Sequence, residues 1–427
     1  MGECELSSGH WLIRIHKPEP GPERRNPQRF CAAAGNVQGP GPMPPSKRFL
    51  VQNGGHADIE VARARGNYVY DTRRRKYIDF VMGWCVGNFG WARPELRRRV
   101  HAFDGPDYVY PEYSYKPWHE LAQLLVGLAP KGLTRCCRAT GGSEAVELAL
   151  QAAMLHTGRK KFVALEDAYH GNTLGAMSVG DGDDEVSVLS VARLKPPLDG
   201  DALDRLETRL KRRDVAAVIM ESISINLGVL IPETEFMEGL APLCHRYGTL
   251  LILDEVATGF GRTGRLFACE HYDVRPDLMP IAKAATGGAV GIGGLLLRDD
   301  LAKTLEEQGN VYSTYGWHPL SVDVAIANVH WIKRHQSRLL RHVERIGTYF
   351  ADRLIEMPFQ EESEVRWRGL AIAVDVRDEK YAERVGKKCR ARGLLLSPQE
   401  SVLLILPALN VDRATAKEGL DILEACL

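Results

Sequence analysis

The sequence predicts an α/β protein, a three-layer α/β/α arrangement whose mainly parallel sheet carries helices on both faces. Three observations point there. Strand-like and helix-like stretches alternate from the first hundred residues to about residue 320. The strand-like runs are continuously apolar, as expected of strands covered on both faces. Several of them end abruptly in polar or glycine-punctuated loops, and the carboxyl ends of strands are where open α/β sheets place ligands.

Size and composition set the outer bounds. The chain has 427 residues with 44% hydrophobic content, enough for two domains or one domain with a satellite. Acidic and basic residues balance at 55 each, which predicts neither a nucleic-acid surface nor a strongly charged partner. The nine cysteines form no C-x-x-C pair, so neither a metal site nor a disulfide framework is expected, and the adjacent Cys136 and Cys137 read as buried small apolar residues rather than ligands. No apolar stretch approaches the roughly 20 residues that span a bilayer. The expected compartment is a reducing cytoplasm.

Residues 1–47 are rich in Pro, Gly and Arg without periodicity and read as a disordered leader. A translation start near Met43 is an alternative reading. So is a transit peptide, although the stretch "EPGPERR" contains the acidic residues that such peptides avoid. Residues 48–94 form the N-terminal part of a small domain, in which "GNYVYDTRRRKYIDF" predicts a hairpin about a charged turn. The large domain is expected over 95–320. Its helix signal is "HELAQLLVGLA", and its strands are "KFVALED", "VAAVIMES", "GTLLILDE" and "VGIGGLLLR". Residues 321–427 then supply a long helix and an α+β tail that packs on the N-terminal hairpin.

Four stretches carry chemistry. In "RATGGSEAVELALQAA", Thr140-Gly141-Gly142-Ser143 opens an amphipathic helix, and the glycines leave room for an anion at backbone N–H groups. A simple helix cap fits the same residues. In "DAYHGNTLGAMSVGD", Tyr169 and His170 place an aromatic ring where it either covers a flat ligand or packs on the surface. Asp254 ends the apolar run "LLILDE", and a carboxylate there needs a cationic or hydrogen-bonding partner, such as a protonated pyridine nitrogen. Lys283, in "IAKAATGG", follows an apolar lead and precedes two glycines, a setting for an imine-forming amine.

Together, "TGGSEAVELAL", "YHGNTLGAMS", "LLILDEVATGFGRTG", "IAKAATGG" and "STYGWHPL" resemble the class III aminotransferases, pyridoxal 5′-phosphate enzymes of fold type I, from about residue 50 onward. The motifs "DEVATGFGRTGRLFACEH" and "YHGNTLGAMSV" look closest to diaminopelargonate aminotransferases. The resemblance implies that Lys283 is the Schiff-base lysine and proton shuttle, and that Asp254 keeps the pyridine nitrogen protonated. Val256 and Tyr169 would cover the two ring faces, with His170 beside Tyr169. Gly142 and Ser143 would bind the phosphate, and Thr314 would reach a phosphate in the second subunit of a homodimer.

Departures from the family bear on substrate. The arginines that relatives use to hold carboxylates fall here at Leu404, Asn172 and Ser397, the gating glutamate at Asn226, and a Trp-Trp pair at Trp84-Cys85. Arg262 and Arg265 remain as anion contacts or as solvated loop residues. Trp84, Tyr113, Tyr115 and Trp317 are pocket or core aromatics, with the pocket role favoured for Trp84. The implied reaction is ping-pong transfer of an amino group from a small amine or amino acid donor to a keto acid or aldehyde acceptor. An aminomutase or racemase, and a non-catalytic cofactor-binding relative, are the alternatives.

Overall fold

The computed structural model describes residues 59–181, 186–309, 311–360 and 362–427. The leader expected over 1–47 lies outside these residues, as does the beginning of the segment expected from 48.

Near the amino end, β1 (Val61–Arg65), β2 (Tyr68–Asp71) and β3 (Lys76–Asp79) form an antiparallel sheet. The expected hairpin is β2–β3, and its charged turn is Thr72 to Arg75. The chain's far end returns to this sheet, because β13 (Leu394–Leu395) pairs in parallel with β3.

The central sheet has seven strands: β4 (Arg135–Ala139), β5 (Lys161–Leu165), β6 (Ser190–Leu194), β7 (Val215–Met220), β8 (Leu250–Leu253), β9 (Leu278–Ile281) and β10 (Gly293–Leu297). Their order is β4-β10-β9-β8-β7-β5-β6, and β10 runs antiparallel to both of its neighbours while the pairs from β9 to β6 are parallel. Every residue of β7, β8, β9 and β10 is buried. Alternate side chains of a strand point to opposite faces, so Ile252 joins one core while Leu251 and Leu253 join the other. The helix Gly142–Thr157 covers the Ile252 face, and the helices Gly200–Leu210 and Thr234–Arg246 belong to the core opposite.

Three strands of the central sheet lie outside the expected ones. Both sheet edges, β4 ("RCCRA") and β6 ("SVARL"), carry arginines that interrupt the apolar pattern, and β9 contains Pro280. Cys136 and Cys137 sit half-buried on β4 rather than in the core.

The long helix Pro319–Ile355 leads to a four-stranded antiparallel sheet ordered β11 (Glu364–Arg368), β12 (Ala371–Asp375), β15 (Val402–Ile405) and β14 (Ser397–Gln399). No helix of the described residues is long and apolar enough to cross a membrane.

Candidate active site

The site grows from neighbouring strand ends. Met220 of β7 lies opposite Leu253 of β8, so the next residues, Glu221 and Asp254, leave the sheet side by side at its carboxyl edge. Asp254 is only 3% exposed. Its Oδ2 is 2.8 Å from His170 Nδ1, and its Oδ1 accepts the Val256 N–H at 3.0 Å.

Glu255, the next residue, turns the other way. Its two oxygens accept the backbone N–H groups of Ala268 and Cys269 and the hydroxyls of Ser222 and Thr258. Of the two adjacent carboxylates, one therefore faces the cleft and the other ties down the loop that follows β8.

A cleft of about 300 Å³ brings together Gly142, Ser143, Tyr169, His170, Asp254, Val256, Lys283 and Trp84. Gly142 is the first residue of its helix, and a Cβ there would come within 2.9 Å of Val256 Cγ1. Gly171, at φ +129°, lies so close to Ser143 that a Cβ would meet Oγ at 2.4 Å. Ser143 Oγ accepts the Asn172 N–H at 3.1 Å, which leaves its own O–H to donate. Lys283 follows β9 at the start of a single helical turn, Lys283–Thr286, and is half-buried. Thr314 is exposed and does not line this cleft.

Glu221 was not singled out from the sequence. It is buried, accepts the Ser224 hydroxyl at 2.8 Å and lines the cleft. Burial raises its carboxyl to about 7, and the neighbouring Asp254 adds to the rise, against the opposing pull of Ser224, His170 and Lys283. The signal existed, since "VAAVIMES" ends on a carboxylate just as "LLILDE" does.

Arg262 is neither an anion contact nor a solvated residue: it is fully buried, donating to the carbonyls of Leu370 and Pro407 at 2.9 and 2.7 Å and to Asn88. Arg265 is engaged with Glu344 at 2.6 Å. Trp317 is a core residue whose Nε1 donates to the Gly293 carbonyl at 2.7 Å, while Tyr113 is 68% exposed and Tyr115 packs edge-on against Trp118. Among the four aromatics only Trp84 lines the cleft. Of the substrate-bearing positions, Asn226 faces the cleft and Leu404 is buried within β15.

The residues present suit a flat, anionic cofactor with a basic ring nitrogen. Backbone N–H groups and a free hydroxyl converge at a helix N-terminus, a buried carboxylate stands deeper, and the buried His170 Nε2 lacks a partner. Fold and cleft together define an α/β protein built around such a group. The chain belongs to the class III aminotransferases: the family model "Aminotransferase class-III" matches residues 50–427.

Among its relatives, an acetylornithine aminotransferase of Archaeoglobus fulgidus is 34% identical over 381 residues, covering 87% of this chain and 96% of the relative. An adenosylmethionine-8-amino-7-oxononanoate aminotransferase of Aquifex aeolicus is 31% identical over 410 residues, covering 85% and 90%. Among solved structures, the taurine:2-oxoglutarate aminotransferase of Bifidobacterium kashiwanohense, in complex with PLP and glutamate, superposes with a TM-score of 0.80 at 26% identity, over 88% of this chain and 93% of that one. The chain is thus an aminotransferase with the α/β fold of type I, and its cofactor is pyridoxal 5′-phosphate.

Proposed function

We propose that amino-group transfer is carried out in this cleft by Lys283 and Asp254. The observation that carries this is their convergence, from the ends of β9 and β8, on one cavity with a glycine-lined helix N-terminus. When bound, pyridoxal phosphate supplies an electrophilic carbon and a ring that draws electrons from the substrate. Lys283 Nζ would be the amine that holds the cofactor and the base that moves a substrate proton. Asp254 holds the ring nitrogen in its protonated form, and His170 fixes the Asp254 carboxylate. Gly142 and Ser143 grip the phosphate, while Val256 and Tyr169 confine the ring.

Trp84 forms a wall of the donor pocket. A primary amine or amino acid is the donor and a keto acid or aldehyde the acceptor. Leucine at 404, asparagine at 172 and serine at 397 support a donor held without those arginines.

The same reading makes the enzyme a homodimer in which Thr314 reaches the second copy's phosphate. Support comes from the exposed aromatics about Thr314, where Tyr108 and Tyr315 stack edge-on at 6.0 Å and Tyr312 is 51% exposed. It also divides the chain into a large cofactor-binding unit near 95–320 and a small unit from both chain ends, supported by the β3–β13 pairing. A cytoplasmic location is supported by the free cysteines of the described residues.

The test is the absorbance of the purified protein before and after a panel of amines and amino acids, with Lys283→Ala as control. A visible band that a donor bleaches in the wild type, and that the same donor does not bleach in the variant, is the expected result. A Lys283→Ala band that a donor bleaches as fast as in the wild type sinks the assignment.

A further inference from the structure

Trp91 does not line the cleft, yet its ring joins the two segments that shape it. The Trp91 Nε1–H donates to Asp79 Oδ2 at 2.7 Å. The other oxygen of this buried carboxylate accepts the N–H groups of Val81 and Met82 at 2.9 and 2.8 Å. That clamp sits at the base of a turn in which Met82, Gly83, Trp84 and Cys85 all have left-handed φ, at 47, 57, 55 and 68°. Three of the four carry a Cβ, and such residues normally visit this region singly. A run of them persists only where the surroundings over-determine it.

The indole ring supplies the rest of that constraint. It packs so closely on the glycines around it that an added Cβ would lie 3.1 Å from the ring at Gly83 and 2.9 Å at Gly87. On its other side, a Cβ at Gly288 would also lie 2.9 Å from the ring. Gly288 follows the single turn that starts at Lys283. One side chain thus touches both the turn that presents Trp84 and the loop that carries the lysine.

We propose that Trp91, anchored by Asp79, is a positioning residue that sets the distance between Trp84 and Lys283 and thereby the width of the donor pocket. This rests on the reading of Trp84 as a wall of that pocket. Asp79 and Trp91 act through the turn and touch no reactant.

The holoenzyme can be probed without knowledge of the natural donor. In the holoenzyme, hydroxylamine and O-benzylhydroxylamine both attack the cofactor carbon tethered to Lys283, forming an oxime and freeing the lysine amine, and their rates are followed by loss of the visible absorbance. The quantity of interest is the rate for the benzyl reagent divided by that for the parent. Opening the wall with Trp84→Ala raises this ratio, and Trp91→Phe, which keeps a ring but removes the donor to Asp79, raises it about threefold to tenfold, a moderate coupling for residues joined in one network.

The double variant then stays within about twofold of Trp84→Ala, because Trp91 has nothing left to position. Asp79→Asn shifts the ratio in the same direction and serves should Trp91→Phe not fold. A merely structural role would lower the melting temperature and scale both rates alike. A Trp91→Phe ratio equal to wild type, or one that multiplies fully onto Trp84→Ala, overturns the inference while leaving the pocket reading intact. An unchanged ratio in Trp84→Ala overturns the pocket reading itself, and the inference with it.

Discussion

Glu221→Gln should make the cofactor-free protein more stable as the pH rises. The buried Glu221 carboxyl titrates at about 7 in the folded chain against 4.5 ordinarily. Between those values the folded state keeps a proton that the unfolded state has released, so stability falls with rising pH and the loss is complete above about 7. At up to about 1.4 kcal/mol per pH unit, a slope that fades as the carboxyl ionises, the stretch from pH 5.5 to 8 costs the wild type about 2 kcal/mol.

Glutamine keeps the shape and an oxygen for the Ser224 hydroxyl but has no proton to lose, so the variant escapes that cost. Groups away from this carboxyl are common to both proteins, so the difference between them reports on Glu221 together with the neighbours it is coupled to. The assay is thermal denaturation of both at pH 5.5, 6.25, 7 and 8. With an unfolding entropy of about 2.1 cal/mol/K per residue, 2 kcal/mol corresponds to a Tm advantage for the variant that widens by about 2–3 °C. A constant difference across the range would refute the placement of a shifted carboxyl beside Asp254, and a difference that narrows would reverse its sign.

Further substitutions test the remaining parts. Lys283→Ala should reduce turnover at least about 10²–10⁴-fold while the fold survives, checked by single-turnover kinetics and circular dichroism. Gly171→Ala forces a Cβ against Ser143 Oγ at a left-handed φ and should cost about 2 kcal/mol or more, along with weaker cofactor binding in a fluorescence titration. Arg262→Ala strips donors from the carbonyls of Leu370 and Pro407 and should destabilise by about 2–4 kcal/mol in urea denaturation, with lysine a poor substitute. Tyr315→Glu should shift the proposed dimer toward monomer at micromolar concentration in analytical ultracentrifugation and lower activity in parallel.

What was legible in the sequence follows from how local each signal is. That Asp254 and Lys283 line one cleft could be anticipated because a polar residue at the end of an apolar run stands out within its own neighbourhood. Glu221 sent the same signal, but "ESISINLG" drew attention to Asn226 instead. Arg262 could not be read correctly, because its burial is created by carbonyls 108 and 145 residues further along the chain. The edge strands β4 and β6 were hidden by their arginines, and β9 by its proline. Trp91 was invisible for a related reason: its partners at Gly83, Gly87 and Gly288 meet only in three dimensions. Thr314 is exposed and does not line the cleft of its own chain, so its proposed role depends on a second copy.

The opposed directions of Asp254 and Glu255 also constrain how this segment can evolve. Because neighbouring side chains at a strand end alternate in direction, inserting or deleting one residue in β8 would exchange the two carboxylates. The charge meant for the cleft would then face the loop, and the loop's anchor would face the cleft. Changes of two residues preserve the alternation and changes of one do not, so length variation here should be filtered by parity, whatever substrate a descendant enzyme comes to use.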